Sequence, residues 1–350
     1  MPQRTVHLVG SIPFDNSAEV FERVGTVLGP YLHSLPDGET GERLNWMGWL
    51  QSIFTGHPDF VATGEAFSPR GDGRELTTKF RLKPGVSPRD VRFDNLPFAR
   101  VALKSYQDFE RLRRNGTIPE AVRFQVALAG PISVLRRFVA DEAVQEELLP
   151  AYEDGLIRQV DALATEIPPE RLAVQWDVAS AVFERLERGE PNRFGQTRDE
   201  MIATFAARHV RLGMGVPEKV HLMYHLCYGD ASHRHSIEPS STALCVAFTN
   251  RLSADIDRSV ELIHMPVPRG RTDEAYYDPL RMLRLRPETR LALGLVHFTD
   301  GVDGTRKRIA VARKFVEDFA IATECGFGRR PPETVAQLLE IHAEVARDAA

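Results

Sequence analysis

Eight short apolar runs, separated by longer amphipathic segments, pace this chain from end to end. They cover residues 6–9, 31–35, 122–129, 172–176, 220–226, 260–263, 291–296 and 319–323. Mostly apolar runs of this length suit strands buried on both faces of a parallel sheet. Between them, residues 18–28, 141–167, 198–212, 241–252, 305–319 and 333–346 repeat apolar side chains at helical spacing. In the longest of these, Leu148, Tyr152, Leu156 and Val160 share one stripe. Eight strands alternating with helices predict an α/β fold, a (β/α)8 TIM barrel. A doubly wound open sheet is the competing architecture.

The rhythm breaks over residues 36–119, which are rich in Gly, Pro and charge and hold Trp46 and Trp49. This stretch reads as an insertion after strand two. It is expected to hold a helix over 45–54, a hairpin or loop over 70–86 with Gly71-Asp72-Gly73 at its tip, and a further piece over 98–106. Such a segment can cover the barrel mouth as a lid. No linker divides the chain, so residues 1–350 are expected to form a single domain.

Composition narrows the partners. With 43% hydrophobic and 27% charged residues, the chain is neither disordered nor a coiled coil. No apolar run reaches the roughly 18 residues of a membrane helix, and no secretion signal is read at the N-terminus. A net charge of −5 argues against a nucleic-acid partner, and the basic runs at 111–114 and 329–330 are short. Three cysteines make no disulfide scaffold and suit a reducing, cytoplasmic setting. Oligomeric state leaves no signal in the sequence.

Polar residues gather just after the apolar runs: Gly10-Ser11-Ile12-Pro13, Pro36-Asp37-Gly38-Glu39, Ala129-Gly130-Pro131, Gln175-Trp176-Asp177, His225-Leu226-Cys227-Tyr228, His264, His297-Phe298-Thr299-Asp300 and Glu324-Cys325-Gly326. In a parallel barrel all these strand ends converge on the face that carries active sites. His225-x-Cys227 is the sharpest signal, because residues i and i+2 of a strand point the same way and can share one ion. With Cys325 and His264 from other strand ends, two thiolates and two imidazoles make a natural tetrahedral Zn²⁺ set. The plain alternatives are a tight Cys-Gly turn for Cys325 and a carbonyl-bonded mouth histidine for His264. Cys245 lies in a helical pattern and reads as core.

These motifs resemble, in order along nearly the whole chain, the catalytic barrel of cobalamin-independent methionine synthase and its UROD/MetE-like relatives. Gly10-Ser11-Ile12-Pro13 is similar to the family's Gly-Ser-x-Pro, and Ala129-Gly130-Pro131-Ile132-Ser133-Val134-Leu135 to its Thr-Gly-Pro-Val-Thr-Ile-Leu. Gln175-Trp176-Asp177 resembles Gln-Ile-Asp, and His225-Leu226-Cys227-Tyr228 resembles His-Met-Cys-Tyr. Glu324-Cys325-Gly326-Phe327-Gly328-Arg329 resembles Asp-Cys-Gly-Leu-Lys-Thr-Arg.

The resemblance implies zinc-dependent alkyl or methyl transfer to a small-molecule thiol, with zinc held by His225, Cys227 and Cys325. At the family's fourth ligand, a glutamate, this chain has His264; Glu261 is an alternative about 10 Å further down the strand. Near the family's catalytic histidine it has His297 and Thr299. On this reading Asp177, with Gln175 beside it, holds a cationic substrate group, and Gly10 and Ser11 take a carboxylate. Asp37, Glu39 and Arg43 read the second substrate, an alkyl donor, and Arg329 an anionic group. Residues 35–43 match no methionine synthase motif, and no folate-binding set stands out. Other readings are a metal-free decarboxylase or lyase using Asp37, Arg43 and Asp177, and a zinc-binding barrel without catalysis.

Overall fold

A computed structural model of the chain describes residues 6–68, 76–229 and 235–348. The elements run α1 (Ser17–Leu28), β1 (Ser34–Pro36), α2 (Gln51–Thr55), β2 (Phe60–Phe67), β3 (Thr77–Leu82), α3 (Phe98–Arg114), β4 (Arg123–Ala129), α4 (Pro131–Phe138) and α5 (Glu142–Glu166). They continue with β5 (Leu172–Val178), α6 (Ser180–Arg188), α7 (Arg198–Met214), β6 (His221–Leu226), α8 (Ala243–Asp255), β7 (Leu262–Pro266), α9 (Glu274–Tyr277), β8 (Arg290–Val296), α10 (Gly301–Ala312), β9 (Ala320–Thr323) and α11 (Val335–Asp348).

Seven strands form one curled parallel sheet in the order β1-β4-β5-β6-β7-β8-β9. Apart from the separate β2–β3 pair, every neighbour is the next strand in sequence, as crossovers of one hand produce. The expected strand over 6–9 is reduced to one residue. Val6 bridges in parallel to Leu32 on one side and Ile321 on the other. The His7 N–H still bonds to the Ile321 carbonyl at 2.9 Å, and after it side chains take over: Leu8 and Val9 carbonyls accept from Gln125, at 2.9 and 3.1 Å, and Val9 also from Gln175, at 2.8 Å.

Two apolar clusters result. The large one fills the space between sheet and helices. A small one, Ala173, Met223, Leu262, Ala292 and Ala320, lies inside the curl of the sheet. A polar chain crosses the same interior: Ser34 Oγ to Gln125 Oε1 at 2.6 Å, Gln125 Nε2 to Gln175 Oε1 at 3.2 Å, and Gln175 Nε2 to Asp177 Oδ1 at 2.9 Å. Helix starts follow local chemistry. Asn16 accepts from the Glu19 N–H to begin α1, and Thr197 and Glu200 form a capping box on α7. Gly130 and Pro131 start α4 directly off β4, with proline where no helical N–H is needed.

Between β1 and β4 the chain departs from expectation. Residues 45–54 are not one helix but 3-10 turns Gly41–Asn45 and Gly48–Leu50 followed by α2. The break is at Trp46, whose φ of 52° no helix accommodates. β2 and β3 pair antiparallel, with the first arm ahead of the expected 70–86; the Gly71-Asp72-Gly73 tip lies outside the described residues. The pair is anchored by aromatic packing: Phe54 stacks on Phe80 and Phe138 at 5.8 and 5.2 Å. The piece over 98–106 extends to Arg114 as α3, which packs on α1 and β4. Near the C-terminus the helix expected over 305–319 runs instead over Gly301–Ala312. Its next turn tightens, with Lys314 and Phe315 N–H groups bonding to Val311 and Ala312 carbonyls. Among the described residues no helix is long and apolar enough to cross a membrane.

Candidate metal centre

Asp177, His225 and His264 are register partners on β5, β6 and β7, so their side chains enter the sheet interior at one level. Cys227 follows His225 by two residues, just past the end of β6, and Cys325 lies just past β9. Ligand atoms of His225, Cys227 and Cys325 all fall within 4.8 Å of one another. The two sulfurs are 3.9 Å apart, and the Gly229 N–H donates to Cys227 Sγ at 3.3 Å. The neighbouring Cys325 sulfur above all, with His225 and the Gly229 N–H, holds the Cys227 thiol well below its ordinary range, against the opposing effect of burial. Cys245 is buried in α8, and burial pushes its thiol upward, as expected of a core residue.

His264 stands outside this cluster of three. Its Nδ1 lies 2.7 Å from His225 Nδ1, and its Nε2 bonds to the Thr323 carbonyl at 3.0 Å. Both ring nitrogens are thus engaged, and the carbonyl-bonded alternative fits the position better than a fourth ligand. Burial, with His225 and His7 nearby, drives its imidazole well below the usual range and so keeps it neutral. Glu261 is remote from the centre, at the opposite end of β7 beside His221 and Arg290.

A cavity of about 50 Å³ adjoins the three ligands. Gly10, Ser11, Glu39, Trp46, Asp177 and Arg329 line it. Asp177 accepts from Trp46 Nε1 at 3.2 Å and from Gln175 at 2.9 Å. Burial raises its carboxyl to about 6, opposed by His225, Gln175 and Trp46. Glu39 is raised further, to about 8, by burial and then by Asp177, against Arg43 and Arg329. Its backbone is left-handed, at φ 46°, pinned by Asp37 Oδ1 accepting the Glu39 N–H at 3.0 Å.

Not every expected contact residue reaches this cavity. Gln175 is fully buried and orients Asp177 instead of facing a ligand. Asp37 and Arg43 are paired with each other, at 2.8 Å, and line an adjoining cavity with Glu39, Trp46 and Trp49. Ser11 Oγ accepts from the Gly328 N–H at 3.3 Å, which ties the first loop to the one after β9.

His297 faces a neighbouring cavity with His235, Thr299 and Glu324. Its Nε2 bonds to the Val267 carbonyl at 2.9 Å, and its Nδ1 lies 3.5 Å from Glu324. Glu324 also meets His235 at 3.2 Å. Burial lowers the His235 imidazole, yet Glu324 and Glu238 outweigh it and raise the group to about 9. Of the polar run 232–235, only His235 belongs to the described residues.

Sequence reasoning placed Trp46 in the covering segment but missed it as a pocket residue. It also missed the His235–Glu324–His297 grouping.

The sequence matches no protein-family profile and no curated protein. Solved structures do match. A B12-independent methionine synthase from Shewanella, solved in complex with selenomethionine, aligns at 16% identity and a TM-score of 0.53, over 85% of this chain and 79% of that one. A Listeria monocytogenes protein, provisionally described as a vitamin-B12-independent methionine synthase, aligns at 13% identity and a TM-score of 0.58, over 100% and 99%. A methyltransferase from Methanosarcina mazei aligns at 13% identity and a TM-score of 0.51, over 98% and 95%. The likeness to B12-independent methionine synthases that the strand-end motifs suggest is therefore matched by a shared fold over nearly the whole chain.

Proposed function

We propose that this chain is a zinc-dependent transferase that moves a methyl or other alkyl group from a donor to the sulfur of a small-molecule thiol. The observation that carries this reading is the meeting of His225, Cys227 and Cys325 at one point. Two sulfurs on a tetrahedral zinc, each at about 2.3 Å, sit about 3.8 Å apart. The 3.9 Å between Cys227 and Cys325 fits that spacing, and one imidazole with two thiols is a donor set suited to zinc. A zinc ion held there would stabilise a substrate sulfur as a thiolate at neutral pH and leave it nucleophilic.

The surrounding residues suit an amino-acid thiol. Asp177 borders the cavity beside the three ligands and favours an ammonium group, and Arg329 in the same lining suits a carboxylate. The Shewanella relative was solved with selenomethionine, a zwitterion of this kind. The alkyl donor is assigned to the neighbouring cavity. His297, Glu324 and His235, which meet there, suit proton transfer to the donor's departing group.

A cavity of about 50 Å³ holds only a few waters. The segment carrying Glu39 and Trp46 must therefore yield before a thiol enters. In this reading Val6 closes an eight-membered barrel within a single domain, and the segment over 36–119 is an insertion whose Glu39 and Trp46 border the pocket.

Metal per chain in the wild type, Cys227→Ser and Cys325→Ser tests the proposal. About one zinc is expected in the wild type and a large loss in both variants. Zinc-edge absorption with an added amino-acid thiol such as homocysteine should show an additional sulfur. Equally low metal in all three proteins sinks the reading.

A further inference from the structure

The hydrogen bonds around His264 fix where the protons lie. A carbonyl oxygen only accepts, so His264 Nε2, 3.0 Å from the Thr323 carbonyl, carries hydrogen. One further proton sits between the two Nδ1 atoms, 2.7 Å apart. On His264 it would place a doubly protonated ring in a fully buried site, with the His7 ring 5.8 Å away. On His225 it leaves both rings neutral. His225 is then the Nδ1–H tautomer, and its Nε2 lone pair is the one a metal can use.

We infer that His264 is a positioning residue: it accepts the His225 Nδ1–H, selects the metal-binding tautomer, and is not itself a ligand. The centre then has three protein ligands and a position left for substrate, the arrangement of a catalytic zinc site rather than a closed structural one. Thr323 extends the device. Its carbonyl takes His264, and its hydroxyl donates to the Cys325 carbonyl at 2.6 Å. The element that orients the imidazole thereby also holds the turn bearing the second thiol. Histidine in place of a carboxylate here also leaves the site one negative charge poorer. This inference rests on the metal reading above, but its first test does not need metal.

Imidazole nitrogen shifts in the metal-free protein, with the eleven histidines labelled, should show His225 as Nδ1–H and His264 as Nε2–H. An Nε2–H His225 overturns the inference whether or not the protein binds zinc. The second test is chelator competition on zinc-loaded wild type, His264→Ala and His264→Gln. Loss of an outer partner to a metal-bound histidine costs roughly 10–100-fold in affinity. That loss is expected in His264→Ala, with one imidazole and two sulfurs still seen by X-ray absorption. The Gln side chain offers an amide oxygen to His225 and an amide N–H to Thr323, so His264→Gln should recover most of it. Unchanged affinity in His264→Ala overturns the positioning role. Two imidazoles on the wild-type metal, one of them lost in His264→Ala, make His264 a ligand and overturn it too. A wild type that binds no zinc, yet shows the stated tautomers, instead defeats the proposed function.

Discussion

The Sγ atoms of Cys227 and Cys325 stand 3.9 Å apart, although 98 residues of chain separate them. β7 and β8 lie between the strands that carry them, so the curl of the sheet brings the two thiols together. A disulfide needs an S–S distance of about 2.05 Å, less than 2 Å of closure from the observed separation. Oxidation of the metal-free protein with diamide should therefore consume two of the three thiols and leave Cys245, while bound zinc should protect both. Thiol counting under denaturing conditions reads the result. Three intact thiols after oxidation, or equal loss with and without zinc, would contradict the shared site.

Trp46 couples the covering segment to the pocket through its bond to Asp177. Trp46→Phe keeps an aromatic ring but removes the N–H donor. An amino-acid thiol should then bind roughly 10–150-fold more weakly, the worth of one charge-assisted hydrogen bond of about 1.5–3 kcal/mol, with zinc content unchanged. Isothermal titration beside metal analysis separates the two. A parallel fall in zinc would mean that Trp46 supports the centre itself. The indole emission of the wild type should also shift on binding, since the covering segment has to move.

How much of this was readable in advance follows from the physics of each signal. The strands after the insertion were legible because runs buried on both faces are mostly apolar, and β4, β5, β6, β8 and β9 fall within two residues of the apolar runs. His225 and Cys227 were legible because the two-residue strand period puts both on one side. Cys325 needed the convergence of strand ends, a property of the fold class. Trp46 was not legible, since its partner Asp177 is 131 residues away and its own positive φ defies the local helical pattern. The engagement of His264 was half legible. A histidine at a strand end can bond a carbonyl, but that the carbonyl belongs to Thr323 depends on the curl. The ion pair between Asp37 and Arg43 hid because its six-residue spacing fits no regular element.

Glu39 gives the fold a pH dependence of defined sign. An unfolded glutamic acid releases its proton near 4.5, and in the folded chain Glu39 keeps it to about 8. The folded state therefore binds the extra proton between those values, so this group's stabilising contribution is complete below 4.5 and is lost as pH rises toward 8. Asp177, raised from 3.8 to about 6, acts in the same direction over a lower window. The slope is at most about 1.4 kcal/mol per pH unit for each carboxyl, and less for Glu39, which borders the cavity. Glu39→Gln removes the titration. Its melting temperature should gain on the wild type between pH 5 and 8, with little difference at pH 4. Parallel curves across that range would show that Glu39 ionises like an ordinary surface carboxylate.

Gly326 tests how tightly the cysteine turn is held against the first loop. A Cβ at this position would meet Ser11 Oγ at 2.4 Å and the Ser11 nitrogen at 2.9 Å. The Ser11 backbone cannot retreat freely, because its carbonyl accepts the Phe327 N–H at 2.5 Å and its hydroxyl takes the Gly328 N–H. Overpacking of this kind costs about 1–3 kcal/mol. Relief has to come from a shift of the turn that includes Cys325, so Gly326→Ala should lose both thermal stability and zinc affinity. Gly270→Ala is the control, since nothing lies within 4 Å of its added Cβ. It should leave both quantities at the wild-type value. Equal behaviour of the two variants in melting and chelator competition would mean that the contact between Ser11 and the cysteine turn does not hold the centre in place.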